Sequence, residues 1–177
     1  MTVRPIIEIP DPRLRDVSAP VAQVDDEVRN LVADMFETMY AAPGIGLAAI
    51  QIAVPRRVVV IDLQEPEVEG GEVMRTPVAF INPEILSASE SLQTYNEGCL
   101  SIPEQYGEIS RPAQIRARWL DDTGSVHEEE LDGLMAICLQ HEIDHLDGVL
   151  FIDHLSKLKR DMLLKKLAKW RRDGGAA

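Results

Sequence analysis

Cysteine is scarce in this sequence, with only Cys99 and Cys138 among 177 residues. Two thiols so far apart do not make the disulfide framework of a small secreted domain; they read as buried free thiols, or as a metal ligand or nucleophile in a reducing compartment. Also missing is any run close to the ~20 consecutive apolar residues that a membrane-crossing helix needs, so no membrane association is expected. The opening Met1-Thr2-Val3-Arg4-Pro5 has neither the basic start and apolar stretch nor the small-residue cleavage site of a secretory signal. The expected location is the cytoplasm. Internal repeats, low-complexity blocks and evident linkers are absent too. With 45% hydrophobic residues the chain suits one sizeable core, and residues 1–177 are read as a single domain.

Charge is present in excess but unevenly placed. The net charge is −12, yet His154 to Ala177 carries eight Lys/Arg against two Asp. A mainly acidic body excludes general nucleic-acid binding and leaves the basic tail as a separate electrostatic case.

Residues 25–42 place Val28, Leu31, Val32, Met35 and Met39 at helical spacing, with acids at the start and Pro43-Gly44 at the end. Arg57–Leu63 and Val78–Ile81 read as strands, with a polar loop from Gln64 to Thr76 between them. Residues 113–120 and 126–131 flank Asp121-Asp122-Thr123-Gly124 as a hairpin. A helix follows over 133–146 with Gly148 just past its end, and a final amphipathic helix spans about 155–172. Its apolar spacings run through Leu155, Leu158, Met162, Leu163, Leu167 and Trp170. Strand pairs interrupted by helices predict an α+β fold.

The helix over 133–146 carries the chemistry. His141 and His145 lie four residues apart on one face, so both imidazoles can reach one cation, with Glu142 beside them to handle protons. A catalytic site needs a third protein ligand and an open position. The HExxHxxGxxH continuation fails, because Phe151 stands where the third histidine belongs. His127 and His154 are isolated in polar surroundings. Cys138 lies about 10 Å along the axis from His145 and reads as core or pocket lining. Cys99, in Glu97-Gly98-Cys99-Leu100-Ser101, is the best third ligand, with the small Gly98 allowing close approach of backbone. Gly44, Gly46 and Ala49 match a dinucleotide-binding pattern, but they follow a helix and precede a strand, the wrong context.

Three segments in order resemble the three motifs of peptide deformylases: Gly44-Ile45-Gly46-Leu47-Ala48-Ala49-Ile50-Gln51, Glu97-Gly98-Cys99-Leu100-Ser101 and His141-Glu142-Ile143-Asp144-His145. The likeness extends to the Ile9-Pro10-Asp11-Pro12-Arg13-Leu14 opening and to Asp34-Met35-Phe36-Glu37-Thr38-Met39. It implies mainly antiparallel strands around a central HExxH helix, and removal of formyl from the N-terminal formylmethionine of nascent chains. It implies Cys99, His141 and His145 as ligands of one divalent metal, Fe(II) in the cell, with Zn(II) or Ni(II) in preparations. Glu142 becomes the proton carrier, and the backbone N–H of Leu100 and the side-chain amide of Gln51 become oxyanion donors. Gly46 and Gly98 flank the substrate backbone, and Ile45, Leu134, Ile137 and Cys138 form a pocket for the substrate methionine. Tyr106 departs from the arginine that close relatives often carry there. The resemblance also implies docking of the basic C-terminal helix on ribosomal RNA; a monomer is the default. The competing readings are a zinc peptidase, which needs only HExxH, and a ribosome-associated binding protein with a vestigial site.

Overall fold

A computed structural model describes residues 2–64 and 74–175. Helix α1 (Asp26–Ala41) begins where the Asp25 carboxylate accepts the N–H of Val28 at 3.0 Å, the usual way to satisfy an orphan donor of the first turn. Strands β1 (Gly46–Ala48), β2 (Val58–Ile61) and β3 (Val78–Ala88) follow, then β4 (Leu92–Cys99) and β5 (Ile102–Pro112). Strands β6 (Gln114–Leu120) and β7 (Val126–Asp132) lead into α2 (Gly133–Leu146), and α3 (Lys157–Arg172) ends the fold.

Five strands form one antiparallel sheet in the order β1-β2-β3-β6-β7, and β4 with β5 makes a separate antiparallel ribbon. The expected α+β class is observed. Alternation along β2 explains its unbroken Val-Val-Val-Ile: Val58 and Val60 pack against α1, whereas Val59 and Ile61 face α2. A strand covered on both faces has no polar side to show. Helix α2 is therefore wedged between the sheet and the ribbon, and most of its residues from Ala136 onward are buried. A third apolar cluster gathers Leu14, Ile102, Ile109, Phe151, Leu163 and Leu167 where α3 meets the ribbon.

Several expectations change in detail. Strand β3 runs on to Ala88, passing Pro83 through a register shift between Ile81 and Glu84; bulges are where sheets accept proline. The ribbon was not anticipated, because its first strand is largely exposed and polar and lacks alternation. Helix α3 starts at Lys157, capped by Ser156, after a 3-10 turn over Phe151–His154. Its buried stripe narrows to Leu163 and Leu167, leaving Leu158 71% and Met162 52% exposed. Gly148 does end α2, at φ +73°, and a Cβ there would collide with the Arg15 carbonyl oxygen. Of the loop expected over 64–76, residues 65–73, with Gly70-Gly71, lie outside the described residues. Its two flanks are tied together: the N–H groups of Gln64 and Thr76 both donate to Asp62 Oδ1.

Candidate active site

Helix α2 stacks His141 and His145 one turn apart, and the end of β4 brings Cys99 up to them. One donor atom from each of the three lies within 4.8 Å of the others. Cys99 Sγ is 3.1 Å from His145 Nε2. His141 Nδ1 lies 2.8 Å from Glu97 Oε2; the carboxylate accepts, so Nδ1 carries the hydrogen and Nε2 is left for a metal. A thiol and two imidazoles, converging and nearly buried, fit a divalent ion of the zinc or ferrous type.

The three donors have their own support. Arg111 grips Glu97 with two hydrogen bonds, of 2.6 and 3.0 Å, and reaches Asp144 with a third of 2.8 Å. His154 closes the chain on Asp144 at 2.7 Å. Burial raises the Glu97 pKa, but hydrogen bonds from His141 and Arg111 override it and bring it to about 2. Burial also holds His145 well below the ordinary histidine range, helped by the charges of His141 and Arg111. His141 feels opposite pulls: burial lowers its pKa, hydrogen bonds to Cys99 and Glu97 outweigh that, and the net direction is up. A divalent ion competes with that proton.

Glu142 is buried, and desolvation lifts its pKa from 4.5 to about 7 against the opposing charge of His141. Its Oε2 is buried without a hydrogen-bond partner among the described residues. The other oxygen explains Gly46: a Cβ there would sit 2.5 Å from Glu142 Oε1 and 2.8 Å from Cys138 Sγ. Burial pushes the Cys138 thiol well up, so it stays protonated, as suits a pocket wall rather than a ligand.

Gln51 sits in the 3-10 turn Ala49–Ile52 with 1% of its surface exposed. Its Oε1 accepts the Ala48 N–H at 2.8 Å, while Nε2 donates to Ser101 Oγ at 3.1 Å and lies 3.5 Å from Cys99 Sγ. The N-terminal segment ties both neighbours by main chain alone: the Ile7 N–H donates to the Gln51 carbonyl and the Ile9 N–H to that of Ser101, at 2.8 and 3.0 Å.

A cavity of about 330 Å³ opens over these groups. Ile45, Gly46, Gly98, Leu134, Ile137 and Cys138 all line it, with Gln51, Cys99, Leu100, His141 and Glu142; His145 lies outside the lining. Strand β1 borders it at the sheet edge. Because the Ile45 carbonyl accepts the Asp62 N–H and Gly46 pairs in register with Ile61, the antiparallel alternation turns the Gly46 N–H and carbonyl away from β2, toward the open side. Tyr106, 61% exposed, stands at the rim with its ring over Gly98, where a Cβ would meet it at 2.6 Å. The close approach at Gly98 is thus to a ring rather than to backbone. His127 pairs with Asp121 and stacks on Trp119, away from the site.

Sequence reasoning gave no role to Glu97, Ser101, Arg111 or Asp144. Arg111 had a readable signal: it occupies the same inward parity of β5 as buried Ile109, an expensive place for a charge without a purpose. That signal needs the strand, which its polar partner β4 concealed.

The polypeptide deformylase family model matches residues 3–161. The chain belongs to that family. It is 65% identical over its whole length to the peptide deformylase of Rhizorhabdus wittichii, covering all of both chains. With the peptide deformylase of Novosphingobium aromaticivorans it shares 60% identity, over 97% of this chain and 99% of that one. Among solved structures, a peptide deformylase from Legionella pneumophila superposes with a TM-score of 0.88 at 41% identity, covering 99% of each chain. One from Ehrlichia chaffeensis in complex with actinonin gives 0.88 at 44%, over 97% of this chain and 99% of that one. Family membership makes the protein a metal-dependent hydrolase that removes the formyl group from nascent peptides. The zinc-peptidase and vestigial-binder readings are set aside by it.

Proposed function

We propose that Cys99, His141 and His145 hold one divalent cation, that Glu142 carries the proton, and that Gln51 and Leu100 receive the developing oxyanion during deformylation. The observation that carries this reading is the convergence of three donor atoms within 4.8 Å, with the Glu142 carboxylate beside them facing the same cavity. A cation held there supplies Lewis-acid polarisation of water and of the formyl carbonyl.

Everything else falls to the chain. Glu142, with a pKa near neutrality, takes a proton from the attacking water and returns it to the departing amine, as a general base and then acid. The Gln51 amide and the Leu100 main-chain N–H act as donors set in place before charge develops, so no reorganisation is needed in the transition state. The outward N–H and carbonyl of Gly46 pair with the substrate backbone, adding it as a strand at the edge of the sheet. Ile45, Leu134, Ile137 and Cys138 receive the methionine side chain, with Gly98 on the opposite wall. Fe(II) is the cellular metal; Zn(II) and Ni(II) take its place in preparations, since a thiolate with two imidazoles suits all three and zinc binds more tightly than ferrous iron.

The whole chain serves as one catalytic domain, a cytoplasmic monomer. Helix α3 adds ribosome docking: its five lysines form no ion pair among the described residues, so their charge is available to phosphates. Formate release from a formyl-Met peptide tests the main reading, using protein purified without oxygen and assayed with ferrous iron, with zinc and after chelation. Metal-dependent formate release with the peptide otherwise intact is expected. No formate from folded, metal-loaded protein overturns it.

A further inference from the structure

We infer that Ser101 is a positioning residue for the reaction: its hydroxyl oxygen fixes the rotation of the Gln51 amide, and so aims the second Nε2 hydrogen at the reacting carbonyl. The inference rests on the oxyanion role proposed for Gln51. The orientation of that amide is settled by its partners. The Ala48 N–H can only donate, so the atom 2.8 Å from it is the Gln51 oxygen, and the NH2 group faces the other way. There one hydrogen goes to Ser101 Oγ at 3.1 Å, and the other to Cys99 Sγ at 3.5 Å, a long contact that a reacting carbonyl can displace. Two anchors at opposite ends of a planar group leave it no freedom to turn. Without the serine, the Nε2 end keeps only the long contact to Cys99 Sγ, so the amide turns about the Ala48 contact and its second hydrogen moves away from the reacting carbonyl.

Ser101 is 0% exposed and Gln51 1%, so no bulk water replaces a lost partner. The serine is also held independently of its side chain, by the Ile9 N–H on its carbonyl at 3.0 Å. Removing the hydroxyl therefore deletes the anchor while the main chain stays tied. Residues 99–101 then supply a metal ligand, a main-chain donor and the group that aims the second donor, all from three consecutive positions.

A double-mutant cycle on metal-loaded protein tests this. Ser101→Ala is expected to lower kcat about tenfold, the scale of one lost hydrogen bond, with KM and metal content unchanged. Gln51→Ala is expected to cost ~100-fold or more, as for a lost oxyanion donor, and Ser101→Ala on that background to cost nothing further. Equal losses in both backgrounds would show that the serine acts structurally, and would overturn the inference while leaving the deformylase reading intact. Absence of formate from the parent protein would sink that reading instead. A second readout needs no turnover: the two Gln51 Nε2 proton resonances of the metal-free protein are expected to be well separated and to draw together in Ser101→Ala. Unchanged resonances would also overturn the inference. If the alanine variant does not fold, Ser101→Gly removes the same oxygen and serves the same cycle.

Discussion

Glu142 is a carboxylate that the fold makes uncomfortable. Its pKa of about 7, against 4.5 in the unfolded chain, means that burial penalises the charged form. A raised carboxyl pKa leaves stability intact below about pH 4.5 and erodes it as pH rises toward 7. In the metal-free protein, Glu142→Gln is therefore expected to stabilise more at about pH 8 than at about pH 4, with ~3 kcal/mol as the upper bound for such a shift. Urea unfolding at the two pH values measures it, and an equal effect at both would count against the raised pKa. In the metal-loaded enzyme the same substitution is expected to lower kcat by ~10²–10⁴, the range of general acid–base catalysis, while metal content by elemental analysis stays the same. Gly46 is constrained from the other side. Gly46→Ala drives a methyl into Glu142 Oε1 and Cys138 Sγ, and overpacking of this kind costs ~1–3 kcal/mol. Both kcat and thermal stability are expected to fall.

At the scale of elements, the ribbon and α2 are joined by an ionic chain whose Glu97–Arg111 pair is buried, and that joint is where His141 is held. Arg111 is the hub, holding Glu97 on β4 and Asp144 on α2. Arg111→Met strands the Glu97 charge in the interior, which costs ~3–5 kcal/mol, and loosens the support of His141, for which a ~10–100-fold loss of metal affinity is usual. Replacing Glu97 and Arg111 together by apolar residues is expected to restore much of the stability but not the affinity; competition with a chromophoric chelator separates the two. Helix α3 offers a different test. Truncation before it would remove Leu163 and Leu167 from the third apolar cluster, so lost activity would say little about docking. Changing the five lysines to glutamine leaves that cluster alone. It is expected to weaken ribosome co-sedimentation and flatten its salt dependence, while formate release from a short peptide is unaffected. The helices were legible in the sequence because Val28, Leu31, Met35 and their kin repeat at one face. The ribbon was not, because Gln93, Thr94, Tyr95 and Asn96 carry no alternation: that strand pairs with β5 without covering a core of its own. The roles of Glu97 and Arg111 were hidden with it. Leu158 and Met162 misled in the opposite sense, since periodicity marks a face without saying whether anything packs against it.

For the whole molecule, the three proposed ligands come from two segments at least 42 residues apart along the chain, at positions 99, 141 and 145, and meet only when sheet, ribbon and α2 have assembled. An ion that binds this assembled set and not the unfolded chain stabilises the fold by mass action. Chelation is therefore expected to abolish formate release and to lower the melting temperature together, with both restored by one equivalent of metal. Acid should act at the same joint. Glu97 has its pKa depressed to about 2, so its contribution is present above about pH 4.5 and fades as pH falls toward 2. Three short motifs were enough to pick out the three donors that the fold brings together, because motif chemistry survives without knowledge of the fold. What they could not reveal is the reach of the N-terminal segment, which holds Gln51 and Ser101 through peptide groups while Ile7 and Ile9 pack on the third apolar cluster. The ties from Ile7 to Gln51 and from Ile9 to Ser101 are indifferent to side-chain identity. Positions 7 and 9 should therefore accept, in a saturation library selected for growth, any residue that packs in place of isoleucine, and reject one that would otherwise pass as conservative in shape: proline, which alone among the twenty has no N–H to give.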